Sequence, residues 1–460
     1  MCYFTVFPKV NECVKVYRKP RALFTVLPLL LLYFSFPLKG YGQALSLEHA
    51  VQLAIQHDPQ LKGNAHREQG FKAQSDAATY WENPQISASL QNLPTDGFAV
   101  NQEPMTQFKV GLKQQLPRGD ENYYTQQKYK VMGEGVLIEN QVREAWLKKE
   151  VTVTWLNWFY ATRRIVLLDK EKALLTQLLD FTNSSYSQGV GSTSQQDILK
   201  VRLALLSLED KYVQAYQQNN EAKAALSKWY GAPLEASLSV TSSIDFAAIV
   251  QNYKGDVSAF LNDIDTDEPF TVLQHHPEAI LFQLQSKIEA QNLNIAREQT
   301  KSKWAFEASY GYRQDDENGM SRADFVSFGV QVDLPFFNQS RQDASISAAA
   351  SRMSASETDF RLKVNDLGSK ADVLITRLSG LSERKALYEA VLIDETKQLS
   401  EAELTAYTND TADITDVVNA NLMLVKVQDD LLKIDVERAK TLAELAYLYL
   451  PSHINLSRTE

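Results

Sequence analysis

"LQHHPEAI", residues 273–280, repeats a phrase that already stands at residues 55–62, "IQHDPQLK". The two prolines, Pro59 and Pro277, lie 218 positions apart, and the offset recurs: Pro117 pairs with Pro335, and Pro233 with Pro451. Proline interrupts a helix anywhere past its first turn. The pairs therefore mark where helix is forbidden in both halves, and the 115 proline-free residues after Pro117 and again after Pro335 mark where it can run. "QLPRGD" (115–120) also matches "DLPFFN" (333–338), and "WYGAP" (229–233) matches "YLYLP" (447–451). The chain reads as a tandem duplication.

Each half carries the same order of elements. Helical spacing comes first, in "LEHAVQLAIQ" (47–56) and "AILFQLQSKIEAQNLNIA" (279–296), with apolar residues returning every three or four positions. Period-two segments follow. Ile86, Ala88 and Leu90 alternate with Gln85, Ser87 and Ser89, and Phe108, Val110 and Leu112 with Lys109, Gly111 and Lys113. In the second half Phe306, Ala308 and Tyr310 alternate with Glu307, Ser309 and Gly311, and Val326, Phe328 and Val330 with Ser327, Gly329 and Gln331. Such strands suit a barrel with lipid outside and water inside, or a hairpin lying on a soluble core. Polar segments 92–106 and 314–324 join the strands of each pair as outer loops.

After the second strand of each pair comes Leu-Pro, a favoured start for a helix. The first arm is expected from about Asp120 to Tyr186, with Gly133 and Gly135 as candidate breaks, and its partner runs back through Trp229. Leu167 and Leu168 recur as Leu174 and Leu175, and Ile198, Leu199 and Val201 as Leu205, Leu206 and Leu208, which is coiled-coil spacing. The arms turn at "SQGVGSTS" (187–194) and "TNDTADIT" (408–415), rich in capping residues. Four strands cannot close a barrel in lipid, so the chain is expected to oligomerise, and three copies would supply twelve strands.

The first 44 residues read as a secretory signal: Lys15, Arg18, Lys19 and Arg21 precede the apolar run "ALFTVLPLLLLYFSFPL". The whole chain has a formal charge of −10; six Lys or Arg and one Glu give the leader +5, leaving −15 for the remainder. That acidity argues against nucleic acid as a partner. Cys2 and Cys13 both fall in the leader, away from the end of its apolar run. Disulfides, thiolate metal sites, cysteine catalysis and an acyl anchor are therefore not expected in the mature protein. The expected division is a signal peptide (1–44), a first repeat (45–231), an equatorial linker (232–270), a second repeat (271–451) and a tail (452–460).

The leader, the duplicated His-Asp-Pro and His-His-Pro starts, the strand-Leu-Pro-helix junctions, and the tips "YSQGVGSTSQQDIL" (186–199) and "YTNDTADITDVV" (407–418) resemble the TolC-like outer-membrane efflux protein family. Similarity around "ENPQISASLQNLP" (82–94) points to its heavy-metal subgroup. The resemblance implies mixed α and membrane β structure: a tandem-duplicated protomer giving a homotrimer with a 12-stranded outer-membrane β-barrel above a long periplasmic α-helical barrel. It implies two further partners, a periplasmic adaptor and an inner-membrane pump, with outer-membrane lipid around the strands. The implied function is a passive exit duct for small molecules or metal ions, the alternatives being a type I protein secretion duct and a pore-free secreted coiled-coil scaffold.

The resemblance also assigns sites. Tyr186, Gly189 and Tyr407 fall on the adaptor-docking tips, and Asp410, Asp413 and Asp416 on the periplasmic gate. Three chains would bring the acidic side chains toward one axis, where repulsion should raise some of their pKa values. Equally, Asp413 and Asp416 are helix-start residues and Gly189 a helix C-cap. Two positions depart from the family pattern: Asp410 replaces a glycine, and no arginine stands beside it to lock the gate. The fourth positions on from His57, His275 and His276 are Leu61, Ala279 and Ile280, and turn roles beside proline are favoured over metal binding. "WLNWFYATRRIVLL" (155–168) reads as helix packing. No phosphate loop, serine elbow or paired-acid constellation is present, so neither an enzyme nor a cofactor is expected.

Overall fold

The structure, a computed structural model, describes residues 44–189, 193–230, 239–240, 243–251, 272–409 and 411–450. The leader through residue 43, most of the linker 232–270, Pro233, Asp410, Pro451 and the tail 452–460 lie outside the described residues.

Asp58 caps a helix because its side chain accepts the Leu61 N–H at 3.0 Å while Pro59 occupies the first turn, where no donor is needed. It thus separates α1 (Leu47–His57) from α2 (Pro59–Ala77). In the second repeat His276 takes the same place ahead of α6 (Pro277–Glu298): its Nδ1 accepts from the Glu278 N–H at 3.2 Å and its Nε2 lies 3.0 Å from the Tyr447 carbonyl. Those two bonds fix the neutral tautomer. Burial is the main force holding the His276 pKa below its usual value. His57 ends α1, its ring bonded to the Leu53 carbonyl at 2.9 Å.

The two cap sites are pinned differently. Arg143 reaches buried Asp58 at 2.6 Å in the first repeat. Its equivalent 218 positions on, Arg361, is exposed, and in the second repeat Lys363 and the Tyr447 hydroxyl hold Glu278 instead.

The strands are β2 (Gln85–Gln91), β3 (Gln107–Gln115), β5 (Trp304–Tyr312) and β6 (Phe325–Val332). They form one antiparallel sheet in the order β2-β3-β5-β6, so the two repeats meet at β3 and β5, with Val110 opposite Tyr310 and Leu112 opposite Ala308. A separate two-residue parallel bridge joins β1 (Ala44–Leu45) to β4 (Ser239–Val240). Its first residue is Ala44, the last position of the expected leader.

From the sheet the chain enters α3 (Glu121–Gln188), a single helix of 68 residues. Gly133 and Gly135 do not break it, although each costs about 1 kcal/mol relative to alanine. A Cβ at these positions would lie 3.9 Å from Phe71 of α2 and from Leu284 of α6, so the glycines sit where the short helices flank α3. α4 (Gln195–Tyr230) returns, followed by α5 (Phe246–Gln251).

The second hairpin is not a copy of the first. It rises through a 3-10 turn (Pro335–Asn338), α7 (Gln339–Leu387), a π turn (Tyr388–Leu392) and α8 (Ile393–Thr408), and returns as α9 (Ile414–Leu448). The rising helices start 218 positions apart, at Glu121 and Gln339, but end 220 apart, at Gln188 and Thr408. A π turn, bonded i to i+5, is where a helix takes up one extra residue.

The larger core joins α1, α3, α7 and α9, with Trp155, Leu156, Trp158 and Phe159 buried. The Trp155 indole donates to the Leu45 carbonyl at 3.0 Å, so the 155–168 segment is packing, as its sequence suggested. A second cluster fills the arms: Leu168, Leu175 and Leu178 meet Val201, Ala204 and Leu208 of α4 and Ile414, Val417 and Val425 of α9. Among the described residues no helix is long and apolar enough to cross a membrane.

Asp58→Ala removes both the α2 cap and the partner of half-buried Arg143. A loss of about 2–4 kcal/mol is expected in denaturant unfolding followed by circular dichroism. Asp58→Asn, which keeps the cap, should lose less.

Candidate functional site

The sheet presents two unlike faces. On one, Ile86, Val110, Leu112, Tyr310, Val326 and Phe328 are all exposed, Phe328 at 84% and Ile86 at 78%. On the other, Lys109 lies 3.8 Å from Glu307 and Lys113 donates to Gln331 at 2.5 Å, among Ser87, Gly111 and Ser309. The alternation read from sequence is thus one bare apolar face backed by one polar face. β2 and β6 each keep an unpaired edge.

Below the sheet Arg118, of the first Leu-Pro junction, donates to the Gln299 and Lys301 carbonyls at 2.9 and 3.2 Å and pairs with Asp333 of the second. Glu298 accepts the Asp120 N–H at 2.7 Å. The exits from the sheet into the arms are thereby tied to each other.

At the far end, α3 stops at Gly189, whose φ of +64° is left-handed and whose N–H returns to the Ser185 and Tyr186 carbonyls. Gly189 is therefore a helix C-cap. Tyr186 is exposed. Tyr407 stands apart from it, with its ring edge-on to Phe181 at 6.2 Å. The two line a groove of about 240 Å³ with Leu174, Leu178, Leu404 and Val417.

Asp413 is the N-cap of α9. Its carboxylate accepts from the Thr415 N–H at 2.7 Å, the Thr415 hydroxyl at 2.5 Å and Lys200 Nζ at 3.2 Å. Lys200 also reaches Asp197 at 3.3 Å, and Asp197 accepts the Ser194 N–H and hydroxyl at 2.8 Å each. One lysine thus bridges the two tips. Residues 213 positions apart give no local sign of this pair in the sequence.

The Thr415 hydroxyl and N–H, then Lys200, hold Asp413 down at about 2. Asp416 is exposed in the first turn of α9. The structure therefore brings Asp413 together with Lys200 and Asp197 and leaves Tyr186 and Asp416 facing solvent, while Asp410 lies outside the described residues.

No family model matches the sequence, and no curated protein does. Solved structures do. CusC, described in work on folding and transmembrane channel formation, superposes with a TM-score of 0.73 at 14% identity, covering 89% of this chain and 93% of its own. The chain shares the fold of that structure. VceC, an outer membrane protein of Vibrio cholerae, matches at 0.69 and 14%, over 88% of this chain and 97% of its own. The MtrE outer membrane channel of Neisseria gonorrhoeae, in its open state, matches at 0.69 and 14%, over 88% and 89%. The correspondence spans strands and arms alike.

Because the folded pKa of Asp413 lies below the ordinary 3.8, the stability it lends the tip is complete above that value and lost as pH falls through about 2. Thr415→Val should move the loss to higher pH. Amide exchange at residues 414–418, followed from pH 5 to 2, reads the shift.

Proposed function

We propose that the chain is the outer-membrane component of a tripartite efflux system, a passive duct for small molecules or metal ions driven by an inner-membrane pump through a periplasmic adaptor. The observation that carries this reading is the sheet. Its apolar face is uncovered and its other face polar, which suits lipid on one side and a water-filled lumen on the other. A soluble sheet would lay its apolar face on protein. Nothing in this arrangement calls for catalysis or a cofactor.

The free edges of β2 and β6 require company, since unpaired backbone groups in hydrocarbon cost several kcal/mol each. Three copies close a twelve-stranded barrel by pairing β6 of one with β2 of the next. The arms carry matching stripes. Leu199, Leu203, Leu206 and Val213 form an exposed seam on α4 with three-, four- and seven-residue spacing, and α7 exposes Leu362, Val373 and Leu387. Leu199 and Leu206 are the outer members of the heptad read in sequence. They fit a head-to-tail ring of hairpins.

In this assembly residues 1–44 are the removed leader, 45–231 and 271–451 the two repeats, 232–270 the equatorial linker and 452–460 a tail. The strands sit in the outer membrane and the arms in the periplasm. Asp410, Asp413 and Asp416 form the acidic gate, with Lys200 as a latch from the first tip to the second. The groove at Phe181 and Tyr407, with Tyr186 and Gly189 near the turn, receives the adaptor.

The protein should need detergent for extraction, migrate as a heat-labile trimer and give stepwise conductance in planar bilayers. Leu203→Asp with Leu206→Asp should yield monomers that keep their helical circular dichroism. A wild-type monomer soluble without detergent would overturn the duct. Asp413→Ala with Asp416→Ala should change the current or its block by divalent cations; an unchanged current would remove those residues from the gate and leave the duct standing.

A further inference from the structure

The buried face of α3 in the arm reads Leu168, Glu171, Leu175, Leu178, Thr182, the three-four spacing of a coiled-coil seam. Thr182 settles its hydroxyl on the Leu178 carbonyl at 2.7 Å. Glu171 has no such settlement. It is 4% exposed, and its buried Oε1 meets no hydrogen-bond donor. One turn to either side, Leu168 and Leu175 belong to the apolar cluster shared with α4 and α9.

The charges around it are engaged elsewhere or stand on other faces. On α4, Glu209 is paired with Lys172, whose ammonium lies 5.6 Å from the Tyr212 ring, and Asp210 accepts from Gln214 at 2.8 Å. Lys211 is the remaining cation of that turn. α9 has no titratable side chain between Asp416 and Lys426, and beyond them Asp429 is held by Arg164 at 3.1 Å. α8 contributes Lys397, Glu401 and Glu403 to this stretch, and on α3 itself Asp169 and Lys170 flank the site.

An ionised carboxylate in such a place costs several kcal/mol, so the group keeps its proton. Burial pushes Glu171 up to about 7. The second arm lacks the feature. There Glu389, 218 positions on, is exposed in the π turn and paired with Lys385 at 3.1 Å.

We propose that Glu171 is a proton-operated latch of the first arm: protonated, it lies in the seam between α3, α4 and α9; ionised, it favours leaving for water and opening the seam between Leu168 and Leu175. The proton passes to solvent, and the ligand of the switch is the hydronium ion. The proposal rests on the packing of the arm and not on the duct reading.

The sign follows from linkage. The folded pKa lies above the ordinary 4.5, so the closed seam is favoured below that value and loses its advantage as pH rises through about 7. His276, whose pKa is shifted the other way, weakens the fold only on acidification, so the two are separable.

The test is amide exchange on the full-length protein, corrected for intrinsic rates, over residues 165–178 and 204–215 between pH 5 and 8. Protection in the wild type should fall by up to about tenfold per pH unit toward pH 7 and then level off. Glu171→Gln should be flat with pH. Glu171→Leu, which fills the seam, should also be flat and gives the control if the amide variant folds poorly. Wild type and variants sharing one pH profile would overturn the latch, as would the absence at pH 6 of a protonated-carboxyl infrared band removed by Glu171→Gln.

Discussion

The pairing of β3 with β5 is the contact on which the rest depends. Two repeats, each able to make only a two-stranded hairpin, become one four-stranded sheet through it, and its register sets Phe108, Val110 and Leu112 on the same face as Tyr312, Tyr310 and Ala308. A slip of one residue would mix the faces. It also places Arg118 against Asp333, so that both long hairpins leave the sheet from a tied base. Among the described strands two open edges remain, one on β2 and one on β6.

Much of this was legible because duplication writes the same constraint twice. Pro59 and Pro277 mark equivalent helix starts, and the first residues of α2 and α6, and of β3 and β6, keep the 218 offset. Alternation fixed the strands because a sheet repeats every two residues whatever surrounds it. What escaped were effects that only tertiary context creates. Gly133 and Gly135 stay helical because neighbouring helices pack there. Lys200 and Asp413 meet only once two hairpins lie side by side. Glu171 reads as an ordinary solvated charge among Lys170 and Lys172, and its burial is visible only when the seam is traced through α4 and α9. The proposed gate is the least legible part, since a helix N-cap and a pore acid would use the same residue type at the same place.

The repeats have also diverged where they matter for packing. Asp58 with Arg143 and His276 with the Tyr447 carbonyl solve one problem, the start of a buried helix after a proline turn, by a charged pair in one repeat and a neutral ring in the other. The charged solution weakens in strong acid and the neutral one already near the ordinary imidazole range. The two helix starts therefore have different tolerances to acid although they share a backbone plan.

The π turn at Tyr388–Leu392 has a geometric corollary. The added residue is taken up by widening one turn, so beyond it on α8 the residue 218 positions on from one of α3 no longer holds the same place on the helix face. Hairpins of two kinds must then alternate around any closed ring of these chains. In the proposed trimer six hairpins would therefore stand in two alternating kinds, giving threefold rather than sixfold order beyond the π turns.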